Sequence, residues 1–196
     1  MIQRTGEVRR VTRETDVRLR LSIDGDGAAS VTTGIGFLDH MLTALATHAG
    51  FTLDLTATGD LNVDDHHTVE DCALALGKAL DDALGDRRGL ARFGSAYAPL
   101  DEALARAVVD LSGRPFSRIN LGLRREWLGT MSCENISHAL ASFATAARLT
   151  LHVDVLVGDN DHHRAEAGFK AVALALRASV VSTGSLQVPS TKGTLT

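Results

Sequence analysis

Asp65-His66-His67-Thr68-Val69-Glu70 returns 96 residues later as Asp161-His162-His163-Arg164-Ala165-Glu166. Upstream of each copy lies a helix-patterned stretch with a further histidine, His40 before the first and His138 before the second. Six of the eight histidines thus form two matching sets, each joined by one glutamate, Glu70 or Glu166. The match extends outward. A shift of 98 carries His40, Leu42, Ala46 and Thr47 onto His138, Leu140, Ala144 and Thr145, and Thr52 and Leu53 onto Thr150 and Leu151. The connecting loop then loses two residues, and a shift of 96 carries Ala75, Ala79 and Leu80 onto Ala171, Ala175 and Leu176. Chance supplies scattered alanines and leucines, but not His, Asp-His-His and Glu in register. Two copies make a duplication rather than a solenoid, which needs three or more repeats.

Apolar spacing gives the local structure. Val17, Leu19, Leu21 and Ile23 alternate with polar residues, as in a strand with one buried face. Asp24-Gly25-Asp26-Gly27 has turn chemistry, which predicts a hairpin into Ala28–Thr33. Phe37, Met41, Leu42, Leu45 and Ala49 have helical spacing, and Leu53, Leu55 and Ala57 return to a strand. Val69 through Leu84 form a long amphipathic helix that stops at Gly85. The second half repeats the order: strand signal at Ala107–Leu111 and Phe116–Leu123, a helix over Asn135–Ala147, alternation from Leu149 to Val157, and a closing helix over Glu166–Val181. The expected fold is α+β and internally duplicated, each half a mostly antiparallel sheet packed against two helices. The first repeat is expected over 1–88, the second over 89–184, and a tail over 185–196. Periodicity leaves open whether the halves meet sheet edge to sheet edge or helix to helix.

Imidazole with carboxylate, without thiolate, is metal-binding chemistry suited to Mn²⁺, Fe²⁺ or Zn²⁺, with six-coordination favouring Mn²⁺. Both His-His pairs sit where a long helix begins, with Asp65 and Asp161 as expected N-caps. Positions i and i+4 share a helix face, so His66 with Glu70, and His162 with Glu166, can hold one ion. His67 and His163 project about 100° away and serve a different ion. Six histidines and two glutamates suffice for two metals with open positions for a substrate. A single His-His pair at a helix start is more often a polar cap; the duplicated set outweighs that reading.

With 44% apolar residues the chain can bury a core, and a net charge of −4 leaves no basic footprint for nucleic acid. No apolar run approaches the roughly 20 residues needed to span a bilayer. The start, Met1-Ile2-Gln3-Arg4, lacks an apolar signal region, and two cysteines make no disulfide framework, which points to a cytoplasmic setting. Cys72 falls in an apolar helix pattern and reads as packed core. Arg10-Val11-Thr12-Arg13-Glu14-Thr15 reads, from composition alone, as an exposed polar edge. His48 has no counterpart, since Ala146 takes that place, and His152 reads as solvated. Arg92 lies in the linker between halves, Arg114 at a Gly-Arg-Pro turn, and Gln187–Gly193 is the most loop-like segment. Its hydroxyls, lysine and backbone N–H groups can hold a phosphate.

The chain resembles the imidazoleglycerol-phosphate dehydratase family of histidine biosynthesis over nearly its whole length. The resemblance rests on Arg10–Thr15, Gly36-Phe37-Leu38-Asp39-His40-Met41-Leu42, Asp64–Asp71, Asp110-Leu111-Ser112-Gly113-Arg114-Pro115, Asn160–Glu166 and Pro189-Ser190-Thr191-Lys192-Gly193. It is looser after His138, where the family often has aromatic residues and this chain has Ala139-Leu140.

The resemblance implies two Mn²⁺ ions per active site, held by His40, His66, His67, Glu70, His138, His162, His163 and Glu166. It also implies a homo-oligomer, a 24-mer of trimers, with sites between subunits and a small phosphorylated imidazole as substrate. Arg92, Arg114, Ser190 and Lys192 match the family's phosphate-holding groups, Glu14 and His48 match substrate contacts, and Lys170 is taken with them. Lacking a phosphatase extension, the chain is expected to be monofunctional. In the implied reaction the one carbon-bound proton that is lost is not acidic, since no carbonyl stands beside it. A Lewis acid on a ring nitrogen favours the imidazolate, which expels the neighbouring hydroxyl through a diazafulvene-like species; loss of the other carbon's proton gives an enol and then the ketone. Glu14 and Glu166 are the expected acid–base residues. A dinuclear hydrolase of a phosphorylated metabolite is the other enzymatic reading, and a metal-stapled structural or storage assembly the non-enzymatic one; release of inorganic phosphate separates the first, dispensable Arg92, Arg114 and Lys192 the second.

Overall fold

The computed structural model describes residues 3–195. In the first half, β1 (Thr5–Val11), β2 (Thr15–Ser22), β3 (Ala29–Thr32), α1 (Gly36–Ala49), β4 (Thr52–Gly59) and α2 (His66–Leu84) follow one another. In the second, β5 (Phe93–Leu100), β6 (Ala103–Asp110) and β7 (Phe116–Asn120) precede a small hairpin of β8 (Trp127–Leu128) and β9 (Met131–Ser132). Then come α3 (Cys133–Ala146), β10 (Thr150–Val157) and α4 (Asp161–Ser179). Two four-stranded sheets result, ordered β1-β2-β4-β3 and β5-β6-β10-β7, the same topology twice. In each, three strands are antiparallel and one edge strand is parallel. The duplicated α+β fold is therefore as expected.

The hairpin expected across Asp24–Gly27 does not form. β3 does not pair with β2; it runs parallel to β4, which lies between them. The 14-residue helix α1 separates β3 from β4 and gives the chain the length a parallel connection requires. The hairpin partner of β2 is β1, whose polar sequence hides a strand with one face on α2. Arg10–Thr15 is correspondingly not a bare exposed edge. Thr15 is buried and its hydroxyl donates to Asp71 Oδ2 on α2, while Arg10 Nε donates to Asp71 Oδ1 at 2.7 Å.

The halves meet helix to helix. α2 covers the first sheet and α4 the second, while α1 packs on α4 and α3 on α2, so each close helix pair joins the two repeats. Leu38, Leu76, Leu140 and Phe169, one from each helix, are at most 2% exposed where the four helices meet. Full burial of side chains of this size stabilises by about 1.5–3 kcal/mol each. Cys72 is fully buried in this core, as its sequence context predicts. Close approach is set by glycine: a Cβ on Gly6 of β1 would run into the carbonyl of Ala79, and one on Gly94 of β5 into that of Ala175.

Candidate metal centre

At the start of each long helix, the residue two before the first histidine accepts that histidine's backbone N–H; Asn160 is thereby the N-cap of α4, whereas the N-cap position of α2 is Asp65. Asp64 Oδ1 accepts from the His66 N–H at 2.9 Å, and Asn160 Oδ1 from the His162 N–H at 2.9 Å. Of the two expected caps, Asp65 does stand at the N-cap position of α2 but without a side-chain cap bond, and Asp161 is displaced from that position by Asn160; both side chains do other work. Asp65 is buried and accepts from the Ser132 N–H and Asn135 Nδ2; Asp161 accepts from the N–H groups of Arg124 and Arg125. Both carboxylates pin the start of a histidine helix to the second repeat rather than to its own first turn.

The helix register then brings the i and i+4 donors together. His162 Nε2 lies 3.2 Å from Glu166 Oε2. The third donor of each group comes from the opposite repeat. His40 Nε2 is 3.0 Å from Glu166 Oε2, and His138 Nε2 is 3.0 Å from Glu70 Oε1. The sets are thus His40, His162 and Glu166, and His66, Glu70 and His138, with the donor atoms of each within 4.8 Å of one another. This corrects the sequence grouping, which joined His40 to the first pair and His138 to the second. The physical reason is the helix pairing: α1 lies on α4 and α3 on α2, so the upstream histidine faces the other repeat's long helix. Donors from the two repeats meet within one chain.

His67 and His163 point away from these clusters, as their helical angle predicts. His67 Nδ1 lies 3.0 Å from Asp60 Oδ2 and 3.8 Å from Glu14 Oε2. His163 Nδ1 lies 2.7 Å from Glu102 Oε2. His66 Nδ1 lies 3.0 Å from Asn135 Oδ1, and that amide is oriented by Asp65. In all three, an oxygen at Nδ1 leaves the Nε2 lone pair as the free donor, the arrangement found around metal-bound imidazoles. Hydrogen bonds donated to the carboxylates of Asp60 and Glu102 raise the pKa of His67 and His163 above the ordinary imidazole value. The Asn160 N–H, with His163, holds the Glu102 carboxyl at about 2. Burial pushes Glu166 up, but the Lys170 ammonium 2.7 Å away and His40 outweigh it, and the carboxyl sits at about 2.

The donor set fits a divalent ion of the Mn²⁺, Fe²⁺ or Zn²⁺ type: two imidazole nitrogens and one ionised carboxylate converge, with no thiolate. Asp60, Glu102 and Asn135 escaped the sequence reading because they lie outside the repeated phrase. Glu102 becomes visible only in the structure, where strand register aligns its hairpin with the one bearing Glu14.

The basic set lies elsewhere. Arg92 is engaged by Asp110 at 2.7 Å and by the Pro189 carbonyl, so it ties the tail to the start of β5. Arg114 and Lys192 are exposed, and Ser190 Oγ accepts from the Lys192 N–H at 3.1 Å. Phe93 pairs with Asp110 at this end of the hairpin, whereas Glu102 and His163 lie beyond the other end. The eight residues of β5 span about 25 Å. Within one chain, therefore, the basic set and the His163 group do not meet. His48 is half-buried in the last turn of α1.

A model of the family described as imidazoleglycerol-phosphate dehydratase matches residues 33–176. A protein of that name from Phytophthora nicotianae is 60% identical over 192 residues, 98% of this chain, which spans only 42% of that protein's length. One from Candida glabrata is 55% identical over 207 residues, covering 96% of this chain and 98% of the relative. Among solved structures, the enzyme of that name from Staphylococcus aureus superposes with a TM-score of 0.83 at 37% identity, covering 91% of this chain and 99% of the other.

Proposed function

The chain belongs to the imidazoleglycerol-phosphate dehydratase family, which makes it a hydro-lyase of histidine biosynthesis, and from that premise we propose how its residues perform the reaction. The substrate is D-erythro-imidazoleglycerol phosphate and the product imidazole acetol phosphate. The observation that carries the reading is the exchanged pair of donor clusters, His40 with His162 and Glu166, and His138 with His66 and Glu70. Two Mn²⁺ ions are the proposed occupants of these clusters, and when bound they would supply Lewis acidity favouring the imidazolate form of the substrate. His67 and His163, with Nε2 facing outward, are proposed to complete the ligand set.

Glu14 is the proposed proton carrier. It stands at the tip of the β1–β2 turn, about half exposed, and among the described residues its carboxylate has no partner closer than His67 at 3.8 Å. A general acid or base needs that freedom to reach substrate and to change protonation state. Glu166 is held differently, with Lys170 on one oxygen and two imidazoles on the other. It is ionised at neutral pH, so it is proposed to receive a proton rather than to give one. Arg92, Arg114, Ser190 and Lys192 are the proposed phosphate-holding groups, with His48 and Lys170 as further substrate contacts. Their separation from His163 along β5 exceeds what a three-carbon phosphorylated imidazole spans. This supports a homo-oligomer, proposed as a 24-mer, in which one copy's basic set faces another copy's histidines. A cytoplasmic setting is proposed on the two unpaired, buried cysteines; no helix among the described residues is long and apolar enough to cross a membrane.

Metal analysis and an assay with imidazoleglycerol phosphate and Mn²⁺ test the reading. About two Mn²⁺ per chain and a ketone product are expected, and no ketone would overturn it. Glu14→Gln should abolish turnover while keeping the metal; near-normal activity would remove Glu14 from its role.

A further inference from the structure

The duplication reaches further than the histidine phrases show. Strand register carries β1–β2 onto β5–β6 with a shift of 88: Thr5 pairs with Ser22 as Phe93 pairs with Asp110, and Val17 pairs with Ala57 as Ala105 pairs with Val155. Gly6 and Gly94 occupy the same place in this frame, and each presses on the carbonyl of the matching helix residue, Ala79 or Ala175. The same frame equates Glu14 with Glu102. Each is the last turn residue before the second strand of its hairpin, and each faces Nδ1 of the outward histidine of its own repeat, His67 or His163.

The two glutamates are nevertheless held differently. Glu102 Oε2 is 2.7 Å from His163 Nδ1, and its Oε1 accepts the N–H groups of Asp159 at 3.1 Å and Asn160 at 2.8 Å. Three donors fix it. Glu14 stands 3.8 Å from His67 Nδ1, because Asp60 occupies that nitrogen at 3.0 Å. The loop after β4 thus supplies a carboxylate, Asp60, where the loop after β10 supplies backbone N–H groups.

We propose that Glu102 and Asp60 are positioning residues: each accepts the Nδ1–H of its histidine and so fixes Nε2 of His163 and His67 as the outward-facing lone pair. Asp60 has a second consequence. By taking the place that Glu102 fills in the other repeat, it releases Glu14 from a structural role. One ancestral position has become a fixed orienter in one repeat and a free proton carrier in the other. Among the described residues, the nearest other carboxylate to His163 Nε2, that of Asp101, is 3.9 Å away and too distant for a hydrogen bond.

The role toward metal rests on the manganese reading above, but the tautomer does not. Nitrogen-15 NMR of the metal-free, histidine-labelled protein reads it directly. His67 and His163 are expected as the Nδ1–H form when neutral. Glu102→Ala should release His163 toward the Nε2–H form and weaken Mn²⁺ binding by about 10- to 100-fold, the usual cost of losing such a partner. Glu102→Gln keeps an acceptor oxygen and should restore both. Asp60→Ala should leave His67 to Glu14, so His67 keeps its tautomer while kcat falls at least about tenfold, with KM and Mn²⁺ content within about twofold; Asp60→Asn should restore kcat. An unchanged His163 tautomer in Glu102→Ala, or full kcat in Asp60→Ala, would overturn the proposal. Absence of Mn²⁺ binding by the wild-type chain would instead overturn the manganese reading, with the His163 tautomer still deciding the role of Glu102.

Discussion

His40 Nε2 lies 3.0 Å from Glu166 Oε2, across 126 residues of chain and from one repeat to the other. Its mirror contact, His138 to Glu70, has the same length. Neither repeat therefore owns a complete donor cluster. Removing an upstream histidine should damage the other repeat's ion. The double variant His40→Ala/His162→Ala should lose one equivalent of metal, whereas His40→Ala/His66→Ala should lose two, read by metal analysis per chain. Activity should fall at least about 100-fold in either, since even outer-shell partners of a metal cost 10- to 100-fold. If His40→Ala/His66→Ala kept one full equivalent, the exchanged grouping would be wrong.

The two hairpin glycines give a test of the duplication in the core. Gly6 and Gly94 let β1 and β5 approach Ala79 and Ala175 so closely that a Cβ at either place meets backbone, which cannot rotate aside. Overpacking of this kind costs about 1–3 kcal/mol. Gly6→Ala and Gly94→Ala should each lower the urea-unfolding free energy by that order, and by similar amounts. A neutral Gly94→Ala would mean that β5 does not sit on α4 at this spacing.

Acid sensitivity should show at Asp24, away from the histidines. Arg4 bridges it with both backbone N–H and guanidinium, and these bonds hold its carboxyl below the usual value against a smaller effect of burial. A depressed folded pKa means that the charged form stabilises the fold. That contribution is fully present above about pH 3.8, the ordinary aspartate range, and fades as pH falls through the lower folded value. Asp24 is more than a third exposed, so solvent screening limits the pair to at most about 1 kcal/mol. Asp24→Asn should be less stable than wild type at pH 7, and the gap should shrink as pH falls below the ordinary aspartate range. A constant gap across that range would assign the loss to packing instead.

Much of this was legible in the sequence, and what was not has a common cause. The duplication, the two long helices and the angle between His66 and His67 all follow from local periodicity, because a helix fixes its neighbours at i+1 and i+4. The partner of β3 was not, because Asp24–Gly27 has turn chemistry whether the chain folds back on β2 or leaves for β4. Nor was the exchange of His40 and His138, which depends on α1 lying on α4 rather than α2. Asp60 and Glu102 were hidden because a carboxylate in a polar loop carries no period. Only the strand register, a long-range property, sets Glu102 beside Glu14.

The polar stretch Arg10–Thr15 shows how such a loop is made rigid, and it yields a separate test. Thr12 Oγ1 accepts the N–H groups of Glu14 at 3.1 Å and Thr15 at 3.0 Å, closing the turn on itself. Thr15 then anchors the turn by donating to buried Asp71, whose other oxygen takes Arg10. Thr15→Val keeps the shape but leaves one Asp71 oxygen without its hydroxyl donor, a loss of about 1–3 kcal/mol for a buried charged acceptor. The larger effect should be on Glu14. A shift near 1 Å in a reacting group can cost about 100-fold in rate. Thr15→Val should thus lower kcat by about 10- to 100-fold with metal content unchanged, and Thr15→Ser, which keeps the hydroxyl, should recover most of it. If Thr15→Val turned over normally while losing stability, the Asp71 anchor would serve the fold alone, and Glu14 would owe its placement to the turn by itself.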